Sequence, residues 1–299
     1  FLIILCHLIV VSLSDGECPN LKIWLDIGSG QEMDLATESW NVTSYKLPDN
    51  FKADHIFNVS GKLYLLGGNK ELTEHQVYSL RPIGCSWWYQ EIHRKPYRLQ
   101  TSAVLVGTRI YMIGGIADSY TCEYLETSKY WLSWRKCAPM FGKRYCTAAV
   151  AYEGRIYAFG GSEEFRPTRL VQRYNPATDR WTRLPPMPIA TSCGAAAVLN
   201  NLIYVIGGFN EMSYLETFVQ VFDPTISEWR DDLPVKSMNL EHYGAPLMAF
   251  NGSLYIAGSS SSTNTHKKVE KYDPKTNTWR VLPNEMIKSP SGVFTTVLK

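Results

Sequence analysis

A glycine pair that returns at a nearly fixed step constrains this chain more than any other feature. Five segments carry an apolar residue, Tyr, two apolar residues and then the pair: Leu63-Tyr-Leu-Leu-Gly-Gly68, Ile110-Tyr-Met-Ile-Gly-Gly115, Ile156-Tyr-Ala-Phe-Gly-Gly161, Ile203-Tyr-Val-Ile-Gly-Gly208 and the degenerate Leu254-Tyr-Ile-Ala-Gly-Ser259. Their first glycines stand at 67, 114, 160, 207 and 258, so the steps are 47, 46, 47 and 51. Self-similarity at such a period means one supersecondary unit repeated along the chain, each needing its neighbours to bury its apolar faces.

Each unit reads as four short antiparallel strands. Small-residue apolar runs come first, such as Ser102-Ala-Val-Leu-Val106, Ala148-Ala-Val-Ala151 and Ala195-Ala-Ala-Val198. Gly107-Thr-Arg109, Glu153-Gly-Arg155, Asn200-Asn201 and Asn251-Gly-Ser253 then supply the residues that tight hairpins need at positive φ. Downstream stand Tyr174, Phe222 and Tyr272, each next to an Asn-Pro or Asp-Pro turn and each followed seven residues later by Trp181, Trp229 or Trp279. A composition of 13% aromatic residues suits pleated, half-buried surfaces. Four-stranded sheets that stack radially make a β-propeller, with small side chains at the crowded centre and Trp and Tyr in the wider gaps outside.

The glycine pair, the spaced Tyr and Trp and the period together resemble the kelch repeat, over essentially the whole chain. The expected fold is therefore all-β: a six-bladed kelch propeller filling 1–299, with four antiparallel strands per blade. The blades fall near 8–50 plus 290–299, 51–97, 98–140, 141–188, 189–239 and 240–289. Two units are degenerate: 51–97 has Tyr78 with Trp87 and Trp88 late, and 98–140 offers both Trp131 and Trp134. The first unit shows three strands, Leu8–Leu13, Leu21–Asp26 and Trp40–Tyr45, and lacks its glycine pair. Residues 290–299 are expected to add its missing strand, closing the ring and leaving no free sheet edge.

Composition narrows the function. The chain has 299 residues, 45% hydrophobic and 19% charged, which excludes a disordered tail, a collagen or a coiled coil. Thirty basic against 28 acidic residues leave a net charge of +2, far from that of a general nucleic-acid binder. The seven cysteines (6, 18, 85, 122, 137, 146 and 193) are odd in number and show no C-x2-C spacing, so they read as buried reduced thiols of a cytoplasmic protein. The apolar run 1–13 is too short to cross a bilayer and reads as a buried strand, the alternative being the core of a signal peptide. Asn41, Asn58 and Asn251 open sequons that would matter only in a secreted protein.

No chemistry announces itself. HExxH and Walker A patterns are absent, the six histidines never pair at metal-ligand spacing, and Gly28-Ser-Gly30 lacks the third glycine of a dinucleotide loop. Glu163-Glu164 and Asp231-Asp232 are adjacent and read as solvated loop charges, as do His93-Arg-Lys95 and His266-Lys-Lys268. The Tyr, His and Tyr–Cys set of copper oxidases built on kelch-type propellers cannot be assigned. The expectation is no enzyme, no metal and no cofactor.

A binding site belongs on the propeller face where the lead-in to each first strand and the loop after each glycine pair surround the channel. Counting back from the glycines places Phe51-Lys52, Arg98-Leu99, Arg144-Tyr145, Thr191-Ser192, His242-Tyr243 and Pro290-Ser291 at the lead-ins. The post-glycine loops add Asn69-Lys70-Glu71, Ser119-Tyr120, Glu163-Glu164-Phe165-Arg166, Phe209-Asn210-Glu211 and Ser260-Ser261. Resemblance to BTB-BACK-Kelch proteins implies a short substrate peptide held at the lead-ins. The candidate contacts are Arg98, Arg144, Tyr145, Arg166, Ser192, Phe209, His242, Tyr243 and Ser291. The same resemblance implies protein binding as the substrate-recognition domain of a cullin-3 RING ubiquitin ligase adaptor. Cullin-3 would be engaged only through a BTB region not in this chain. Alternatives are an actin-binding cytoskeletal kelch protein or a secreted kelch propeller. Neither nucleic acid nor membrane is expected as a partner.

Overall fold

The computed structural model of the chain describes residues 51–286 apart from breaks at 61, 70–73, 84–85, 97, 117–118, 130–131, 213 and 261–264, together with four short strands between residues 9 and 42. The described residues are all β, without a helix. Five four-stranded meanders follow one another, at 51–96, 102–137, 148–184, 195–229 and 247–281, and are called blades one to five below. In blades two to five the first strands (Ser102–Val106, Ala148–Tyr152, Ala195–Leu199, Leu247–Phe250) lie side by side around the centre.

Local chemistry sets each blade. First and second strands are joined by two-residue turns, with Val106 opposite Arg109, Tyr152 opposite Arg155, Leu199 opposite Leu202 and Phe250 opposite Ser253. Positive φ at Glu153-Gly154, Asn200-Asn201 and Asn251-Gly252 is what such turns demand. The glycine pair has a different cause. Gly114, Gly160 and Gly207 sit at positive φ, and a Cβ on them would overlap the carbonyl oxygens of Arg144, Thr191 and His242 in the next blade's lead-in. The N–H of the second glycine donates to that same carbonyl, at 3.1 Å from Gly115, 2.9 Å from Gly161 and 2.7 Å from Gly208. The pair thus hinges each blade to the next.

The seven-residue aromatic spacing is also explained. Tyr174 faces Trp181, Phe222 faces Trp229 and Tyr272 faces Trp279 across the third and fourth strands, with ring centroids 5.0, 5.1 and 5.1 Å apart. Each indole N–H reaches back to the linker before its own blade: Trp181 to Ala138 O at 2.8 Å, Trp229 to Pro185 O at 3.1 Å and Trp279 to Lys236 O at 3.0 Å. The core lies between blades rather than within them. Val104, Tyr111 and Ile113 pack on Ile156, Ala158 and Trp181, and Phe159 and Val171 pack on Ile203 and Phe222.

Two expectations need correction. The N-terminal segment forms a four-stranded sheet of its own (Ile9–Val11, Lys22–Trp24, Gln31–Asp34, Ser39–Val42), with the unforeseen Gln31–Asp34 strand between the second and the last, so four strands are made without the chain end. Residues 290–299 lie outside the described residues, so the blades arrayed in the described propeller number five, not six. The reduced thiols are also overturned at four of the seven cysteines, while Cys6, Cys18 and Cys85 lie outside the described residues. Cys122 and Cys137 are bonded across the third and fourth strands of blade two, and Cys146 and Cys193 are bonded between blades three and four. Residues one repeat apart occupy equivalent places on neighbouring blades, and here the two Cα atoms come within 4.6 Å.

Candidate functional site

Where the lead-ins meet the channel, Gln100, Cys146, Cys193 and Gly244 adopt one conformation, with φ of 57°, 56°, 55° and 58°. Backbone bonds link them in series: Cys146 N–H to Gln100 O at 3.0 Å, Cys193 N–H to Cys146 O at 2.9 Å and Gly244 N–H to Cys193 O at 2.9 Å. The Cys146–Cys193 bond sits in this rim. Below it lies a cavity of about 110 Å3, lined by His55, Thr101, Ser102, Thr147 and the small residues Ala148 and Ala195 among others. Small-molecule sites occupy roughly 300–1,000 Å3, so the channel is too small to be one. Burial lowers the His55 pKa to about 4 and keeps it neutral at pH 7, with Nε2 3.2 Å from Thr101 O.

Most of the charged lead-in side chains turn inward. Arg144 is 0% exposed, and one guanidinium nitrogen donates to Gly160 O at 2.8 Å and Leu170 O at 2.9 Å. Burial pulls its pKa down to about 10. His242 holds the same place two blades on: Nδ1 is 2.7 Å from Gly258 O and Nε2 is 3.2 Å from the buried Glu270 carboxylate. Arg98 is buried in an ion pair with Glu123 at 2.9 Å. Ser192 is buried against Ser162, Oγ to Oγ 2.7 Å. The expectation that Arg98, Arg144, Ser192 and His242 present their side chains at the mouth is therefore corrected. Carbonyls at the first glycine of the hinge need donors, and Arg144 and His242 meet them from within. Ser291 lies outside the described residues.

What does reach the face is aromatic. Tyr243, buried and with its hydroxyl pKa pushed up to about 12 by desolvation, packs on Phe209 at 5.8 Å and on the Cys146–Cys193 bond. Tyr145 is half-buried and bridges to Ser162, as Ser192 bridges to Phe209, so lead-ins and post-glycine loops share one end of the propeller. Phe165 stands edge-on to Tyr145 at 6.1 Å and is 86% exposed. Arg166 is exposed beside it, paired across a two-residue ribbon with the exposed Glu163. In the other post-glycine loops Met212 is 70% exposed and Tyr214 65%, and Ile116 and Tyr120 are exposed as well. Met212, Tyr214 and Ile116 escaped the sequence reading. The available signal was an apolar or aromatic side chain one to six residues beyond a glycine pair, where no strand period requires one.

Among the described residues no group of three or more His, Cys, Asp or Glu could hold a metal ion, and no helix is long and apolar enough to cross a membrane. The arrangement offers a shallow, aromatic-rimmed face over a narrow channel, which suits contact with another chain.

Known proteins match this architecture. Human Kelch-like protein 23 is 27% identical over 273 residues, covering 74% of this chain and 48% of its own length. Mouse Kelch-like protein 35 is 31% identical over 173 residues, covering 57% of this chain and 28% of its own. Kelch repeat and BTB domain-containing protein 12 of Danio rerio is 26% identical over 267 residues, covering 78% and 42%. The chain thus spans less than half the length of these relatives. The solved structure of YjhT superposes with a TM-score of 0.56 at 18% identity, over 64% of this chain and 67% of that one, a likeness of fold alone. The family model of the KLHDC2/KLHL20/DRC7 Kelch-repeats domain matches residues 118–298. The chain belongs to that kelch-repeat family, and its β-propeller is a kelch propeller.

Proposed function

We propose that this chain is a protein-interaction domain whose partner docks on the face formed by the lead-ins and post-glycine loops, and that it serves as the substrate-recognition domain of a BTB-Kelch adaptor for a cullin-3 ubiquitin ligase. The observation that carries the first part is the ring of exposed large side chains there: Phe165, Met212, Tyr214, Tyr120 and Ile116. Aromatic and Met side chains are enriched at the cores of protein interfaces. Arg166, Tyr145 and Phe209 complete the surface, and Arg144 and His242 act as its supports rather than as contacts. Membership of the kelch-repeat family and the kelch-like relatives support the reading, and their BTB-containing members support the adaptor role.

Capture of partners from cells tests the face. The variant carrying Phe165→Ser, Met212→Ser and Tyr214→Ser is expected to lose about 100-fold in affinity for a captured partner, because each large anchor carries roughly 1–2 kcal/mol or more. Its melting temperature should stay unchanged. Retained affinity would move the site to the opposite face or the blade edges. The two disulfides pull against the ligase part, since such bonds are rare in the cytosol.

A further inference from the structure

Blade three carries a groove of about 470 Å3 on its outer part, lined by Arg155, Arg173, Asn175, Thr178, Arg180 and Thr182. Strand register explains the convergence. Arg155 on the second strand lies level with Asn175 on the third, which is paired with Arg180 on the fourth; one step inward Arg173 is paired with Thr182. Paired residues across a sheet point to the same side, so three guanidinium groups, an amide and two hydroxyls face one space. None of the three arginines makes an ion pair among the described residues.

The other blades treat this row differently. In blade two Arg109 stands opposite Glu126, which neutralises it at 2.8 Å and accepts from Thr108 at 2.7 Å as well. The third-strand position that Glu126 holds there is Asp223 in blade four and Asp273 in blade five. Only blade three of these four has an uncharged residue, Asn175, and it gains two further arginines around it. The nearby Asp179 does not compensate, because its Oδ1 accepts from the Tyr174 hydroxyl at 2.7 Å and from the Ala138 N–H at 2.7 Å on the side toward blade two. A row that is elsewhere balanced by a carboxylate here lacks its anion.

We propose that this groove binds a phosphate monoester carried on a side chain of a protein partner, a second contact remote from the aromatic face. The proposal rests on the chain being a protein-interaction domain for the source of the phosphate, not for the anion site itself. Guanidinium forks bind phosphate oxygens in pairs. Three of them, with Thr178 and Thr182 hydroxyls as donors, match a dianion better than a single carboxylate.

The test is calorimetric titration of the purified chain with N-acetyl-phosphothreonine N-methylamide, its unphosphorylated form, the glutamate analogue and inorganic phosphate. The phosphothreonine compound is expected to bind, with the glutamate analogue and unphosphorylated form at least about tenfold weaker, and Arg173→Gln is expected to weaken it by about tenfold. Asn175→Asp, which restores the acid found in blades four and five, should abolish binding while leaving the melting temperature unchanged. Equal affinity of the Asn175→Asp variant, no binding of the phosphothreonine compound, or binding of inorganic phosphate alone would each overturn the proposal. None of these outcomes touches the aromatic face, whose own test is partner affinity in the Phe165, Met212 and Tyr214 variant.

Discussion

Arg144→Ala is expected to lower unfolding stability by about 4 kcal/mol, because Gly160 O loses its side-chain donor, Leu170 O keeps only the Gly160 N–H, and a long side chain leaves a cavity. Those carbonyls, Gly160 O and Leu170 O, sit in the strand-two hinge and at the approach to strand three of the same blade. The guanidinium also lies 3.7 Å from the Met140 sulfur, so its removal opens space toward the linker between blades two and three. Urea titration of the intact chain measures the effect, with the exposed Arg166→Ala expected to stay within about 0.5 kcal/mol of wild type. If Arg144→Ala kept full stability and lost partner binding instead, Arg144 would be a contact residue and its structural role would fall.

Removing the Cys146–Cys193 bond is expected to have an effect of similar size. The bond closes a loop of 47 residues, and loop-entropy arguments put the loss at about 4 kcal/mol. The double variant Cys146→Ser, Cys193→Ser avoids a stray thiol and should match wild type treated with reductant, apart from the 15-residue Cys122–Cys137 loop. The backbone bond from Cys193 to Cys146 stays in place, so the rim is loosened rather than redrawn. Alkylation of intact cells before lysis adds the compartment. Both pairs trapped as thiols would favour the adaptor role in the cytoplasm. Both pairs found bonded would keep the interaction function and remove the cullin-3 one. Equal denaturation midpoints with and without reductant would show that the bond does not hold the blades.

The repeat, the hairpins and the aromatic pairs were legible because each rests on a local demand that few residues meet. Positive φ beside a neighbouring carbonyl admits glycine, and a residue such as Trp181 can only face Tyr174 if seven positions separate them across a tight turn. Burial of the lead-in charges was not legible in this way. An Arg or His before a strand reads as solvent-facing, and nothing local reveals that Arg144 and His242 meet buried carbonyls sixteen residues on. A periodic trace of this polar framework did exist. Gln172, Gln220 and Glu270 follow a Val on each third strand, and each bonds the backbone of the linker before its blade, at Phe141, Ile189 and Leu240. The disulfide was hidden because its partners are a full repeat apart in sequence and neighbours only once the blades are wound. The surface role of Met212 and Tyr214 was obscured by the opposite bias, which assigns apolar residues to the core.

Partners are expected to make their main contact at the aromatic face rather than along the fourth strands of blades four and five. Hydrogen exchange of the chain, alone and bound to a captured partner, tests it most directly. Protection is predicted at residues 116, 119–120, 163–166, 209–212 and 214–215, with the fourth strands Glu228–Trp229 and Thr278–Val281 unchanged. Protection confined to those outer strands, with the loops exchanging as freely as before, would contradict it.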